Sequence, residues 1–551
     1  SCADMLRNLV YSQVLIGTGV VVYENICYQA AAFSCKYHFK ADRQVIIAER
    51  GAYVVQTVQY GASAMEISFE NRVMSMYREI ARQTRRIQET AESVVPDTND
   101  DIGRIASVQT AVLLKSKDVT SRGVMVTGEL TAALIYITES ERGVSYVRLS
   151  KAFTMEFDTG EIDADALAQV NLSIQNSEAR ILNPRKVSVT FELLGEMSCF
   201  RQDNVITETV LPAASPEGLH AKCEKTEFVA ANTVTEKTFA VNEQFIFPSG
   251  KPKPSQLVSQ CVDFSLGEPQ LIGAKVIVKG TVSLTVCYLS NEVNYPVKTE
   301  FSTPFSQIID TGSEQMDHCS AVIQLTSCYC DLTDTINGEK ALDTELHAVL
   351  QLVCYSRQSI EYISDAYSNL MPAQCTVQTR KFSSVSSVQQ VKMSADERIN
   401  VVEDCTDVLS VFSSVSQVTL LPDKISAVIT LDIVYRTADG SLSAVRRFIS
   451  VENPGSTSQA RLISARIADT YLRPDGAYID GHISVEVNYQ YTTSMEINRV
   501  ESVVLDDENA YDPAQFPAVT LVRAEGESLW ELAKAYHSSI ERIKAMNELE
   551  D

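Results

Sequence analysis

One alternating pattern of apolar and polar residues recurs three times along this chain. The three segments are Val124–Ile137, Lys275–Leu289 and Lys424–Tyr435. They align without gaps about Tyr136, Tyr288 and Tyr435, which are separated by 152 and 147 residues. Alternation with a period of two is typical of a strand with one buried face, and its repetition at near-constant spacing indicates a duplicated β unit. The chain is therefore predicted to be mainly β, with three tandem β-sandwich-like repeats.

Each copy continues with further alternating runs and ends in a turn that leads into a long strand. The predicted turns are Asn183–Lys186, Asn337–Lys340 and Arg473–Gly476. Asn, Pro, Asp and Gly supply the preset or positive φ that a tight reversal requires. We expect repeat 1 at residues 65–205, repeat 2 at 206–365, repeat 3 at 366–500 and a linker at 501–518.

The third copy departs from the other two. Gly128 and Gly280 lie eight residues before the final Tyr of their segments, whereas Ala427 occupies that position in the third. The Asn-Pro-Arg-Lys turn of the first copy is also lost there. These positions are therefore expected to serve packing and not a shared ligand site.

The first 64 residues show none of this pattern. Our hypothesis is that they are not native to the protein and that Met65 is the natural start; the alternative is a degenerate extra β piece. Residues 70–92 are charged and have apolar residues on one side, which leaves helix and strand open.

The last residues, 519–551, predict a small α+β module of one strand and two helices. The strand is expected at Val519–Arg523. Two capping boxes are expected to begin the helices, one pairing Ser528 with Glu531 and the other pairing Ser538 with Glu541. Apolar residues at helical spacing follow each box.

Charge and hydropathy exclude two classes of partner. The formal net charge of the 551-residue chain is −24, which repels nucleic acid phosphates and anionic lipid heads. No run of eighteen apolar residues exists, so no membrane insertion is expected. Leu9–Tyr23 is too often interrupted by polar residues to favour a signal peptide.

The sequence predicts neither a metal site nor a cofactor nor catalysis. The 13 cysteines contain no C-x-x-C pair, and Cys328 and Cys330 are expected on opposite faces of a strand. His318 and Cys319 are adjacent but have no further ligand nearby. Free thiols are favoured over disulfides. No nucleophile elbow, phosphate loop or metalloprotease motif occurs, so we expect no enzyme activity and no catalytic residues.

Several motifs resemble the SPOCS domain of spore proteins. They are Val95–Asp97, Asp101–Ile105, the strand around Gly128 and Leu182–Val187. The resemblance is closest in the first repeat, moderate in the second and weakest in the third.

The C-terminal segment resembles a LysM module. Gly526, Glu527 and Ser528 match its turn, Trp530 follows Leu529 at the start of the first helix, and Asn547 matches the terminal Asn. The resemblance implies that the carbohydrate- or partner-binding residues are Gly526, Glu527, Ser528, Trp530 and Asn547. A LysM module usually closes with a second strand, which is not found before Asp551, so one wall of the sugar site is missing.

Taken together, the resemblances imply a non-enzymatic spore-coat or envelope assembly protein. Its partner would be the ATPase protein of the coat scaffold, and its place the mother-cell cytoplasm at the forespore surface and the spore coat. Tandem units would provide spaced, multivalent contacts. The alternative is a cell-wall protein that binds peptidoglycan, a polymer containing N-acetylglucosamine.

Overall fold

The computed structural model describes residues 39–41, 44–46, 65–141, 143–160, 165–213, 215–312, 316–517, 519–520, 522 and 526–549. Strands dominate these residues, and the two α-helices among them lie close to the C-terminus. The predicted mainly β fold with a small helical C-terminal module is confirmed. The expectations for residues 1–64 lie outside the described residues, apart from a short hairpin of β1 (Phe39–Ala41) and β2 (Gln44–Ile46).

The first group of strands, unit 1, contains two antiparallel sheets packed face to face. Its strands are β4 (Glu70–Val94), β5 (Ile102–Thr120), β6 (Gly123–Thr138), β7 (Val144–Asp158), β8 (Leu167–Asn183) and β9 (Lys186–Val210). One sheet has the order β5-β6-β7 and the other includes β4-β9-β8. Residues 70–92, for which helix and strand were both open, therefore form a strand.

Unit 2 repeats this arrangement. Its strands are β10 (Leu219–Ile246), β11 (Gln256–Leu266), β12 (Gln270–Ile272), β13 (Lys275–Leu289), β14 (Val297–Asp310), β15 (His318–Asp334) and β16 (Lys340–Ser368). Strand β13 lies between β11 and β14, and β16 lies between β15 and β10. Strands β4 and β10 join the long strands of both units into one six-stranded sheet.

Unit 3 is built from fewer and longer strands than units 1 and 2. Its strands are β17 (Ala373–Val385), β18 (Gln389–Leu420), β19 (Lys424–Thr437), β20 (Leu442–Pro454) and β21 (Ala460–Leu505). The second half of β18 pairs with β19, which pairs with β20, and the first half of β18 pairs with β21. Strand β3 (Met65–Ser68) pairs with the end of β21. We call strands β3 to β21 together the β body, whose first and last strands are therefore neighbours.

All three predicted turns reverse the chain. Asn183 pairs with Lys186 across the first turn, and Gly338 in the second has φ of +77°. The third lies inside β21, where Arg466 donates to Glu486 across twenty residues. An extended chain of that length would span about 66 Å at 3.3 Å per residue, so the chain folds back, with Gly476 at φ +61°.

The three tyrosines that define the repeat are all buried, and Tyr136 and Tyr288 make the same hydrogen bond. Tyr136, Tyr288 and Tyr435 are each at most 1% exposed, and they lie on strands β6, β13 and β19, each of which is paired with other strands on both edges. The hydroxyl groups of Tyr136 and Tyr288 donate to the carbonyls of Asp100 and Pro252, each 36 residues earlier and at 2.9 Å. Equivalent side chains thus make equivalent contacts in units 1 and 2.

The glycine position explains why the third copy differs. Gly128 lies opposite Phe153 and Gly280 opposite Phe305, and a Cβ on either glycine would come within 2.8 Å of the ring. Ala427 instead lies opposite a smaller residue, Val451. The change from glycine to alanine therefore accompanies a smaller neighbour, which fits the expected packing role of this position.

The units share a common core, which the expectation of spaced modules did not include. Strand β6 directs Leu134 and Tyr136 into unit 1, whereas its alternate residues Ile135 and Ile137 face the other units. The common core contains Ala133, Ile135, Ile137, Val258, Cys287, Phe412, Val434 and Leu442. Because β6 is buried on both faces, it is almost continuously apolar. The units thus form one body.

A buried ion pair also links unit 3 to unit 1. Asp432 accepts two hydrogen bonds from Arg446, at 2.6 and 2.8 Å, and one from the amide of Val108 at 3.1 Å. Arg446 donates further to the carbonyl of Ser177 at 2.8 Å. The buried carboxylate thus accepts three hydrogen bonds, two of them from a cation, which offset the cost of burying its charge.

The repeat boundaries predicted at residues 205/206 and 365/366 fall within β9 and β16, and residue 500 within β21. Strands β9, β10, β16 and β21 extend beyond the sandwiches, and we call this extended region, together with β3, the ribbon. Its residues pack on one another through Ile67, Phe69, Leu219, Ile363, Val500 and Val503. The division into domains remains a prediction.

The expectation for Cys328 and Cys330 was wrong. Both lie on β15, and their Sγ atoms are 3.9 Å apart. Successive residues of a strand point to opposite faces, so residues two apart share a face.

Candidate functional site

The C-terminal module has two short helices, α1 (Leu529–Ala535) and α2 (Ile540–Asn547). The first capping box is confirmed: the Ser528 hydroxyl accepts from the amide of Glu531 at 3.2 Å, and the Glu531 carboxylate accepts from the amide of Ser528 at 2.7 Å. These bonds from Ser528 hold the pKa of Glu531 below its usual value. They fix the shape of the turn that precedes α1.

The second capping box was predicted one residue too early. Ser539, not Ser538, caps the N-terminus of α2, and its hydroxyl accepts from the amide of Arg542 at 3.2 Å. Because Arg542 is the third helical residue, Glu541 does not complete a box. The two adjacent serines made the register ambiguous in the sequence.

The strand expected at Val519–Arg523 is not formed by its described members. Residues 519, 520 and 522 have no strand assignment, and residues 521 and 523 lie outside the described residues. Exposed apolar side chains remain at Val519 and Val522.

Trp530 binds the β body. Its Nε1 donates to Oδ2 of Asp365 on β16 at 2.8 Å, and its ring meets Tyr367 edge to face with centroids 4.9 Å apart. Lys534, one helical turn later, donates to both carboxylate oxygens of Asp365 at 2.7 Å. The indole N–H of Trp530 and the ammonium group of Lys534 thus both bind the carboxylate of Asp365, in the part of the ribbon that β16 contributes.

The turn between the helices adds a second contact with the body. The Tyr367 hydroxyl donates to the carbonyl of Ser538 at 2.8 Å, and burial raises the pKa of Tyr367 to about 12. His537 packs against the linker residues Tyr511 and Phe516, with centroids 4.1 and 5.1 Å away. Contacts at both ends of α1 fix its direction along the ribbon.

The electrostatics of the contact favour an ionised Asp365. Burial raises the pKa of its carboxyl, but the hydrogen bonds from Lys534 and Trp530 outweigh burial, so the pKa lies below its usual value. We call the contact of Trp530 and Lys534 with Asp365 and Tyr367 the docking contact.

The structure separates the predicted binding residues into two groups. Gly526, Glu527 and Ser528 are exposed at the turn, where Gly526 has φ of +115°, a conformation that favours glycine. Asn547 is also exposed, and its Nδ2 donates to the carbonyl of Ile543 at 2.9 Å. Trp530 is half-buried in the docking contact.

Sequence reasoning missed the body side of this contact. Asp365 and Tyr367 lie more than 160 residues before Trp530, inside a strand, and carry no local motif. A single isolated carboxylate on a strand gives no signal of a long-range partner.

Among the described residues no group of three or more His, Cys, Asp or Glu side chains is arranged to hold a metal ion. Likewise, no helix in the described part of the chain has both the length and the hydropathy needed to span a membrane.

The architecture and the site together define a mainly β protein of repeated sandwich units that carries a helical module docked on its surface. Family models support the SPOCS and LysM resemblances, although the SPOCS match falls in the second repeat and not in the first, where the sequence resemblance is closest. The SPOCS domain described as SipL matches residues 255–333, within unit 2, and the LysM domain matches residues 524–551. The chain thus contains a SPOCS domain followed by a C-terminal LysM domain, both non-catalytic binding domains, a combination consistent with a role in sporulation. No curated protein and no solved structure matches the chain.

Proposed function

We propose that this protein is a non-enzymatic assembly protein of the spore coat, which links the coat to its basal scaffold through protein contacts. In this proposal units 1 and 3 are SPOCS repeats like the matched unit 2, and the partner is the ATPase protein of the coat scaffold. The protein would act in the mother-cell cytoplasm at the forespore surface.

The docking contact is the observation that carries this proposal. Because Trp530 and Lys534 hold Asp365, the LysM module has a fixed direction on the body. A partner therefore meets the turn at Gly526–Ser528 and the neighbouring ribbon as one surface. Because the LysM module and the ribbon are already fixed relative to each other, less conformational entropy is lost when the partner binds.

In this proposal, one rigid surface replaces the spaced, multivalent contacts expected from separate tandem units. The three units share the common core around Ile135 and Val434, so their outer surfaces cannot move independently. Recognition by one rigid body depends on shape and charge complementarity more than on effective concentration between tethered sites.

The test is capture of the purified full-length chain by the purified scaffold ATPase. Deletion of residues 519–551 is expected to abolish capture, while the circular dichroism of the β body is unchanged. Asp365→Ala is expected to weaken capture by releasing the module. Lys381→Ala, which removes an exposed ion pair with Glu496 on the body, serves as the matched control. Unchanged capture after the deletion would contradict the proposal.

Peptidoglycan binding is the second candidate, favoured by the exposure of Gly526, Glu527, Ser528 and Asn547. Sedimentation of the full-length chain with purified peptidoglycan tests it. Loss of sedimentation in Asn547→Ala, with scaffold capture retained, would support glycan binding at this module. Absence of sedimentation by the unaltered chain would exclude it.

A further inference from the structure

The three units meet at a second place, around Tyr355 of β16, which we call the Tyr355 junction. Phe200 of unit 1 and Val385 of unit 3 pack with Tyr355 in one buried cluster. The charges of Arg82 in unit 1 and Arg461 in unit 3 both act on the Tyr355 hydroxyl, and burial raises its pKa to about 12. The junction therefore combines an apolar cluster with charged groups from two other units.

Arg461 carries a charge that no acceptor of the junction contacts. Its side chain is partly buried, and it makes neither a hydrogen bond nor an ion pair with the described residues. Burial and the nearby charge of Arg82 hold the pKa of Arg461 below its usual value, although Glu79 and Glu196 act in the opposite direction. Glu79 is committed to another partner, because both of its carboxylate oxygens accept from Arg82 at 2.7 Å.

Two further donors of the junction are buried without an acceptor. Gln490 is 1% exposed, and neither its amide nitrogen nor its amide oxygen is paired within the described part of the chain. Ser198 is fully buried, and its hydroxyl is likewise unpaired there. Buried polar groups are nearly always hydrogen-bonded in folded proteins, so these groups point to an acceptor that the chain itself does not supply.

The fold makes these donors neighbours. Ser198 lies directly opposite Arg82 in the register of β9 and β4. The two arms of the β21 hairpin run side by side in opposite directions, which places Arg461 beside Gln490. Gln490 in turn lies next to the hydroxyl of Tyr355. Donors from units 1 and 3 thus converge on one place.

We propose that the Tyr355 junction binds a small oxyanion, of the phosphate or carboxylate type, through Arg461, Gln490 and Ser198. The planar guanidinium group can donate to two oxygens of such an anion at once, and the amide and hydroxyl groups donate to the others. Access is from the exposed part of Arg461. The bound oxyanion pairs the charge of Arg461 and links unit 3 to unit 1.

Calorimetric titration of the full-length chain with inorganic phosphate, in chloride buffer of constant ionic strength, tests the site. We expect one equivalent to bind and the thermal unfolding midpoint to rise, because a ligand that binds only the folded state stabilises it. Arg461→Gln should weaken binding roughly tenfold or more, since it removes hydrogen bonds from a charged donor, and Gln490→Leu should weaken it less. Arg180→Gln, which removes an exposed ion pair with Glu178, is the control and should leave binding unchanged.

A parallel titration with acetate distinguishes the two types of oxyanion, and tighter binding of either one supports the proposal. Absence of binding by both in the unaltered chain would overturn it, as would undiminished binding in Arg461→Gln, which would place the anion elsewhere. Circular dichroism checks the fold of each variant. If Arg461→Gln fails to fold, Arg461→Lys keeps the charge but loses the planar group, and undiminished binding in that variant would likewise overturn the proposal.

Discussion

Gly280→Ala tests the packing that the repeated units have in common. A Cβ at this position would lie 2.4 Å from the carbonyl oxygen of Ser265 and 2.7 Å from Cε1 of Phe305. The ring has little room to retreat, since it packs against Phe239 and Phe264 at centroid distances of 5.5 and 6.0 Å. The substitution is therefore expected to overpack the core of unit 2.

The expected loss of stability follows from two opposing effects. Overpacking a core costs about 1–3 kcal/mol, and contacts with both a carbonyl and a held ring place this site at the upper end. The smaller conformational freedom of alanine in the unfolded chain returns about 0.5–1 kcal/mol. The net destabilisation is thus about 2 kcal/mol, measured by urea denaturation followed by circular dichroism.

Unit 3 supplies the compensating change, because Ala427 lies opposite Val451. In the double variant Gly280→Ala/Phe305→Val, the new methyl group enters space vacated by the ring. The double variant should be more stable than the sum of its single variants predicts, by about 1 kcal/mol or more. Gly250→Ala, where an added Cβ meets nothing within 4 Å, is the control and should not destabilise. Strict additivity of Gly280→Ala and Phe305→Val would refute the reasoning.

Three further predictions concern ion pairs. Asp365→Ala should expose the single tryptophan, Trp530, so that its fluorescence emission shifts to the red and is quenched faster. Lys534→Gln should have a smaller effect, because an exposed ion pair contributes about 0–1 kcal/mol. Equal emission from the unaltered chain and both variants would contradict the docking contact. The hydrogen bonds of the docking contact lower the pKa of Asp365. The stability that Asp365 contributes to docking should therefore be complete above the ordinary carboxyl pKa of about 3.9 and disappear as the pH falls through the lower pKa of the docked state. Asp365→Asn should remove this pH dependence from the Trp530 emission, and an unchanged acid transition in that variant would contradict the prediction. Asp432→Ala should cost about 2–3 kcal/mol in urea denaturation, because it leaves the half-buried Arg446 and the amide of Val108 without their acceptor. Asp475→Ala, at an exposed pair, should cost at most about 1 kcal/mol. Similar costs for the two variants would refute the link between units 1 and 3.

The sequence was sufficient for elements that local residues determine. Alternation predicted the central strands, the turn residues predicted the reversals at Asn183–Lys186 and Gly476, and Ser528 with Glu531 predicted the first cap. Period-two geometry, correctly applied, also places Cys328 and Cys330 on one face.

Long-range packing could not be predicted in this way. The double burial of β6 showed only as unusual apolarity at Ile135 and Ile137, which does not reveal what covers the second face. The partner of Trp530 depends on the path of β16, and Asp365 has no sequence signal of its own. The adjacent serines 538 and 539 left the start of α2 uncertain by one residue, since either hydroxyl can cap a helix.

Scanning calorimetry of the full-length chain and of Gly280→Ala tests most directly whether the three units form one body. A common core predicts one cooperative transition for the β body, with equal calorimetric and van't Hoff enthalpies, and a substitution in unit 2 should lower the temperature of that whole transition. Separate transitions, of which only one moves in Gly280→Ala, would contradict the shared core.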